Sequence, residues 1–123
     1  MDQGAKALIC FANKQPILIV LPCSQKLDTK KFKSNFGIKD LRFATHDEVW
    51  NLTGLQIGAI PPLGKLFEIK TYVDQSLGTN EQIAFNAGDR CRSIIVKYAD
   101  YIKISDCIIG HYGEEKDERN KTY

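Results

Sequence analysis

This chain has little of what most catalytic signatures require. Its 123 residues include two histidines, one tryptophan, one methionine and four prolines. No Gly-x-Ser-x-Gly elbow, Walker loop or His-Glu-x-x-His motif occurs, which excludes the familiar serine-hydrolase, P-loop and zincin arrangements. Cys10, Cys23, Cys91 and Cys107 form no Cys-x-x-Cys pair, so no zinc site and no metal is predicted. No apolar run could span a bilayer: residues 17–21 are far too few, and Pro16 and Pro22 bracket them. No leader-like stretch is visible at the start. A reducing, cytoplasmic setting without a membrane partner is expected. The glycosylation sequons at Asn51 and Asn120 then read as chance matches.

What is present suits one globular domain, with 43% hydrophobic and 26% charged residues. The net charge of +2 is unevenly spread. Residues 26–42 hold Lys26, Lys30, Lys31, Lys33, Lys39 and Arg42 against only Asp28 and Asp40, a local excess larger than that of the whole chain. Such a run is either a solvated helix face or a surface that attracts phosphate.

Apolar runs at residues 5–11 and 16–21, joined by turn residues, predict a β-hairpin. Asp28 is placed to cap a short helix over residues 29–35 that Gly37 ends. Residues 41–43 read as a strand. Thr45 and Glu48 form a capping-box pattern that opens a helix through Leu52, closed by Gly54. Further strands are expected at 66–73, 82–86 and 93–96, with a turn at 87–89. A short helix or turn is expected at 97–104. From Gly110 onward apolar periodicity is absent, and a charged, disordered tail is predicted. The fold class is α/β: a single domain with a curled mixed sheet packed by short helices.

The densest signal is Gly54-Leu-Gln-Ile-Gly-Ala-Ile-Pro-Pro-Leu-Gly64. Its glycines permit turns or close ligand approach, and its prolines stiffen it. It is either a tight connection or the wall of a small-molecule pocket. Lys6, near the start of an apolar strand, either snorkels to water or meets an anion or polarised carbonyl. Asn86, ending a strand, is an ordinary turn residue or a ligand-facing amide. His46 reads as a surface or capping residue or as a base. An enzyme with this inventory would lack a protein nucleophile.

Five segments, in order, resemble one family. They are Gly4-Ala-Lys-Ala-Leu, Gln25-Lys-Leu-Asp-Thr-Lys-Lys, Leu52-Thr-Gly-Leu-Gln-Ile-Gly-Ala-Ile-Pro-Pro-Leu-Gly64, Tyr72-Val-Asp-Gln-Ser-Leu77 and Phe85-Asn-Ala-Gly88. Together they are similar to the YbaK/prolyl-tRNA synthetase-associated family of aminoacyl-tRNA editing domains, over about residues 4–104. The resemblance implies hydrolysis of mischarged tRNA, typically tRNA(Pro) carrying Ala or Cys. It places the family's lysine on Lys6, as the catalytic residue holding the ester carbonyl or the terminal phosphate. It places substrate contacts on Gly58, Ala59, Ile60, Pro62, Leu63 and Gly64, and on Asn86, Ala87 and Gly88. Tyr72-Val73-Asp74 matches a segment of the family that is structural, or in which Asp74 orders the pocket. Ester hydrolysis of this kind needs positioning and electrostatics, with water or a neighbouring ribose hydroxyl attacking, more than a protein nucleophile. Lys26, Lys30, Lys31 and Lys33 would contact the tRNA acceptor end through phosphates. Prolyl-tRNA synthetase is a candidate partner, and no cofactor is implied.

Members of that family usually carry a helical segment before the lysine strand, whereas this chain opens five residues before Lys6. The expected organisation is therefore an editing-like domain over residues 1–109, without that segment, and a tail over 110–123. A non-catalytic binding module for an aminoacyl or tRNA end, or a structural domain on the same fold, is the competing expectation.

Overall fold

The computed structural model describes residues 4–86 and 93–115. It is a single α/β domain built on a mixed five-stranded sheet. The hairpin is β1 (Ala5–Ala12) and β2 (Gln15–Pro22), paired antiparallel with Lys6 opposite Leu21 and Ile9 opposite Leu18. Asn13 and Lys14 both adopt positive φ at its tip, the backbone a two-residue turn needs to match strand twist. After β3 (Gln25–Leu27), the chain forms α1 (Thr29–Phe36), β4 (Leu41–Phe43) and α2 (His46–Thr53). It then forms β5 (Lys70–Asp74), β6 (Gln82–Asn86), β7 (Ser93–Lys97), α3 (Tyr98–Ser105), β8 (Ile108–Gly110) and β9 (Gly113–Glu115). The main sheet has the order β4-β1-β2-β5-β8, with β5 parallel to both β2 and β8.

Both faces of this sheet are covered, which explains why residues 17–21 are apolar without alternation. Leu18 and Val20 pack with Val49 of α2, Ile60, Val73 and Tyr101 of α3 on one face. Ile17, Ile19 and Leu21 pack with Phe32 of α1, Tyr72 and Tyr112 on the other. There Phe32 meets Tyr72 and Tyr112 edge-on, with ring centroids 5.1 and 4.9 Å apart. The helix termini follow the sequence. Asp28 accepts from Lys31 N–H, the Thr45–Glu48 capping box is complete, and Gly37 and Gly54 close their helices in the left-handed region.

Two expectations change. The stretch 66–73 is not one strand: Gly64–Phe67 is a 3₁₀ turn, and β5 begins only at Lys70; the turn after β5 contains a second 3₁₀ element, Gln75–Thr79. The chain also does not unravel at Gly110. β8 pairs with β5, β9 pairs with β3, and Tyr112 is fully buried. Polar capture replaces apolar periodicity here. The buried Asp74 carboxylate accepts from Tyr112 N–H at 2.8 Å, from Gly113 N–H at 2.9 Å, and from the backbone and hydroxyl of Ser76. Burial pushes the Asp74 carboxyl up, but these hydrogen bonds outweigh it and hold it below the usual range.

Candidate active site

The site begins with the register of β1. Cys23 N–H donates to Gly4 O and Ala44 N–H donates to Ile9 O, each at 2.9 Å. Even-numbered residues of β1 therefore turn their main-chain groups toward β2, and odd-numbered residues turn theirs to the opposite edge. On that edge β4 pairs with residues 10–12, and β6 packs alongside with one bridge, Gly4–Ala84, among the described residues. Between them Ala7 presents its N–H and C=O to an open gap, and neither group has a partner among the described residues.

The Gly/Pro loop closes this gap from outside. Its shape is fixed at four points. Gly54 ends α2 at φ +71, and Gly58 turns at φ +91. The Asn86 amide Nδ2 donates to Gly58 O at 3.0 Å, and the buried Tyr101 hydroxyl donates to Pro62 O at 2.6 Å. The two prolines stiffen the segment between these anchors. Sequence motifs 28 residues apart thus meet directly, at Gly58 and Asn86.

Lys6, Gly58, Ile60 and Asn86 line one cavity of about 330 Å³, together with the open edge of β1, Ala84 and Phe85. That size suits a small ligand group rather than a large one. Ala59, Pro62, Leu63 and Gly64 do not line it. Ala59 and Pro62 are buried, and Leu63 packs against the core. Gly64 N–H donates to Thr71 Oγ1 at 2.8 Å, and a Cβ on Gly64 would lie 2.4 Å from Ile69 O. These four residues shape the loop from within. Ala87 and Gly88 lie outside the described residues.

Of the basic candidates, Lys26 sits on β3, apart from the helix, and pairs with Glu114 at 3.1 Å. It is thereby turned to an internal contact. Lys30, Lys31 and Lys33 follow one another on α1, on the sheet face opposite α2. Cys23 lines the lysine cavity; its turn between β2 and β3 carries no motif that would have drawn attention to it. Cys10 is a core thiol that burial pushes up to about 12, so it is protonated at neutral pH.

A second, mostly apolar compartment of about 210 Å³ adjoins the first and shares Ala7, Leu8, Ile57 and Ile60 with it. Ile9, Phe43, Ala44, His46 and Val49 complete its wall. In the sequence His46 read as a surface or capping residue or as a base; the structure places it on the wall of this compartment. Among the described residues, no group of three His, Cys, Asp or Glu side chains is placed to hold a metal, and no helix is long and apolar enough to cross a membrane.

Residues 1–104 match the family model of the aminoacyl-tRNA editing domain. Over 110 residues the chain is 37% identical to the multifunctional Ser/Thr-tRNA deacylase ProXp-y of Escherichia coli K12, covering 85% of this chain and 66% of that protein. It is 31% identical over 74 residues to a proline–tRNA ligase of Staphylococcus aureus, covering 60% of this chain and 13% of the ligase. A solved structure, described as that of a candidate trans-editing enzyme for prolyl-tRNA synthetase, superposes with a TM-score of 0.82 at 25% identity. That match covers 92% of this chain and 71% of the other. The chain thus spans about two thirds of the length of its E. coli relative.

Proposed function

This chain belongs to the aminoacyl-tRNA editing domain family, and from that premise we propose that it hydrolyses the ester joining a small amino acid to tRNA. The observation that carries the reading is the convergence of Lys6, the Gly58–Asn86 contact and the open Ala7 edge on one cavity of about 330 Å³. Ala7 C=O can accept from the substrate's α-amino group, and Ala7 N–H can donate to an acyl oxygen. Lys6 supplies positive charge where the carbonyl oxygen becomes anionic. Water adds to the carbonyl carbon, the bond from that carbon to the ribose oxygen breaks, and the ribose oxygen leaves with a proton. Neither nucleophilic side chain nor metal is needed for that sequence; it depends on position and on charge stabilisation.

The loop, pinned by Asn86 and Tyr101, is stiff enough to limit the size of the acyl group. A pocket that sorts by size alone gains only ~1–3 kcal/mol per methylene. Ser and Thr are the proposed acyl groups, supported by the 37% identity to a Ser/Thr-tRNA deacylase. Ala or Cys on tRNA(Pro) is the second reading, favoured by the likeness to proline–tRNA ligase. A deacylation panel tests both: tRNA(Pro) charged with Ala, Cys, Ser or Pro, beside Ser and Thr on their own tRNAs. Release of Ser and Thr with Pro retained supports the first reading. Release confined to Ala or Cys supports the second, and no release from any substrate removes the enzymatic reading.

A further inference from the structure

At the hairpin-tip end of the sheet, on the face covered by α1, lies a cavity of about 460 Å³ that the ester chemistry does not use. Ala12 on its wall is about 20 Å along β1 from Lys6, at 3.3 Å per residue. Main-chain bonds hold two of its walls. Asn13 Oδ1 accepts from Lys39 N–H at 3.2 Å and from Asp40 N–H at 3.0 Å, which ties the connection after α1 to the hairpin tip. Ile69 N–H donates to Gly64 O at 3.0 Å, which fixes the approach to β5. The floor is aliphatic, with Pro16, Ile17, Ile38 and Ile69. Three polar side chains stand over it. Glu68 and Lys70 are exposed and opposite in charge, and neither forms an ion pair among the described residues. Tyr72 is only 8% exposed, its ring set against Phe32 and Phe36 with centroids 5.1 and 4.8 Å away. Its hydroxyl nevertheless has no hydrogen-bond partner among the described residues. Burial pushes this phenol up, so it stays protonated and able to donate. Lys70 and Tyr72 are two apart on β5 and share one face of it. The remaining polar lining, Asn13 and Gln15, is neutral.

We propose that this cavity binds a free aliphatic α-amino acid. The ligand's ammonium meets Glu68, its carboxylate meets Lys70 and accepts from the Tyr72 hydroxyl, and its side chain rests on Ile17, Ile38 and Ile69. The charge pattern selects this class. A phosphate or an RNA strand would bring anionic oxygens against Glu68, with one lysine in the lining to offset them. A plain hydrocarbon would leave both charges and the buried hydroxyl unmatched. A zwitterion with an aliphatic branch matches the three polar groups and the floor together, and the volume lies within the range of small-ligand sites. The assignment is independent of the ester reading, since no residue lines both this cavity and the lysine cavity.

The test follows the backbone amides of the full chain by NMR during titration with L-valine, L-leucine and L-isoleucine. At least one should shift the amides of Gln15, Ile69 and Lys70 saturably and leave those of Ala7 and Gly58 in place. The carboxamide of the bound amino acid, which lacks the carboxylate, and its N-acetyl form, which lacks the ammonium, should each bind several-fold more weakly. Glu68→Gln and Lys70→Gln should each weaken binding roughly 2- to 5-fold, the range of exposed ion pairs. Tyr72→Phe keeps the ring in its aromatic contacts and should weaken binding roughly 2- to 12-fold, the worth of one hydrogen bond. Absence of a saturable shift with all three amino acids at millimolar concentration would overturn the site without any variant having to fold. Equal binding of the N-acetyl form, shifts confined to the lysine cavity, or stronger shifts of the same amides by inorganic phosphate would overturn it too. Unchanged affinity in all three variants would place the ligand elsewhere and overturn it equally.

Discussion

Gly58 holds the loop at φ +91, a backbone that L side chains rarely adopt, while its carbonyl accepts from Asn86. Replacement by Val would strain the backbone and push a branched side chain against the cavity wall. Gly58→Val is predicted to cut single-turnover deacylation at least tenfold, with strain of about 1–3 kcal/mol appearing in a melting curve. An active variant would detach this loop from the site. The sequence made Gly58, Asn86 and Lys6 visible as separate oddities in otherwise ordinary segments. What it could not convey is that Ala59, Pro62, Leu63 and Gly64 face inward, because inward and ligand-facing positions of a loop carry the same small and apolar residues. Ala7 was equally silent: its proposed role lies in main-chain groups that have no partner among the described residues, and no side chain marks an open strand edge.

The helices show the same division. Caps at Asp28, Thr45, Gly37 and Gly54 were legible because each terminus needs a specific hydrogen bond or a positive φ. The short strands β3, β8 and β9 were not: β3 and β9 pair only with each other, β8 adds to the far edge of the main sheet, and Asp74 accepts from the Gly113 amide at the start of β9. On α2, the hydrogen bond from Arg42, then that from Thr45 N–H, holds the Glu48 carboxyl at about 2, well below its ordinary value. The sign follows: this contribution is complete above the unfolded pKa near 4.3 and fades as pH falls through about 2. A carboxyl titration followed by NMR should place the Glu48 midpoint far below that of free glutamate, and Arg42→Gln should raise it. An unchanged midpoint would mean the pair is not formed in solution. On α1, replacing Lys30, Lys31 and Lys33 with Gln should weaken tRNA binding and flatten its salt dependence without lowering the melting temperature. Unaltered affinity and salt slope would leave these lysines as a solvated face.

At the scale of the whole molecule, one sheet covered on both faces leaves a gap beside β1 among the described residues, and the loop and β6 flank that gap. The mixed α/β class was readable from the hairpin, the capped helices and the doubly apolar β2, but the sheet order was not, because parallel pairing of β2, β5 and β8 joins segments far apart in the chain. Asp74 closes this architecture. Asp74→Ala would strand the amides of Tyr112 and Gly113 in the interior, each worth about 1–3 kcal/mol, and is predicted to lower the melting temperature markedly while Lys6 and the loop keep their positions. A variant that melts like wild type would show that β8 and β9 do not depend on that carboxylate. The central claim is that Lys6 acts on the ester within the gap. The direct measurement is single-turnover hydrolysis of mischarged tRNA by wild type, Lys6→Ala and Lys6→Arg, with melting curves on the same samples. Loss of one charge-stabilising donor typically costs ~100- to 1,000-fold. Lys6→Ala should therefore fall at least about tenfold below wild type. Lys6→Arg should also be impaired, since a planar fork does not replace a compact ammonium, and both variants should melt near the wild-type temperature. Wild-type rates in both variants would contradict the account.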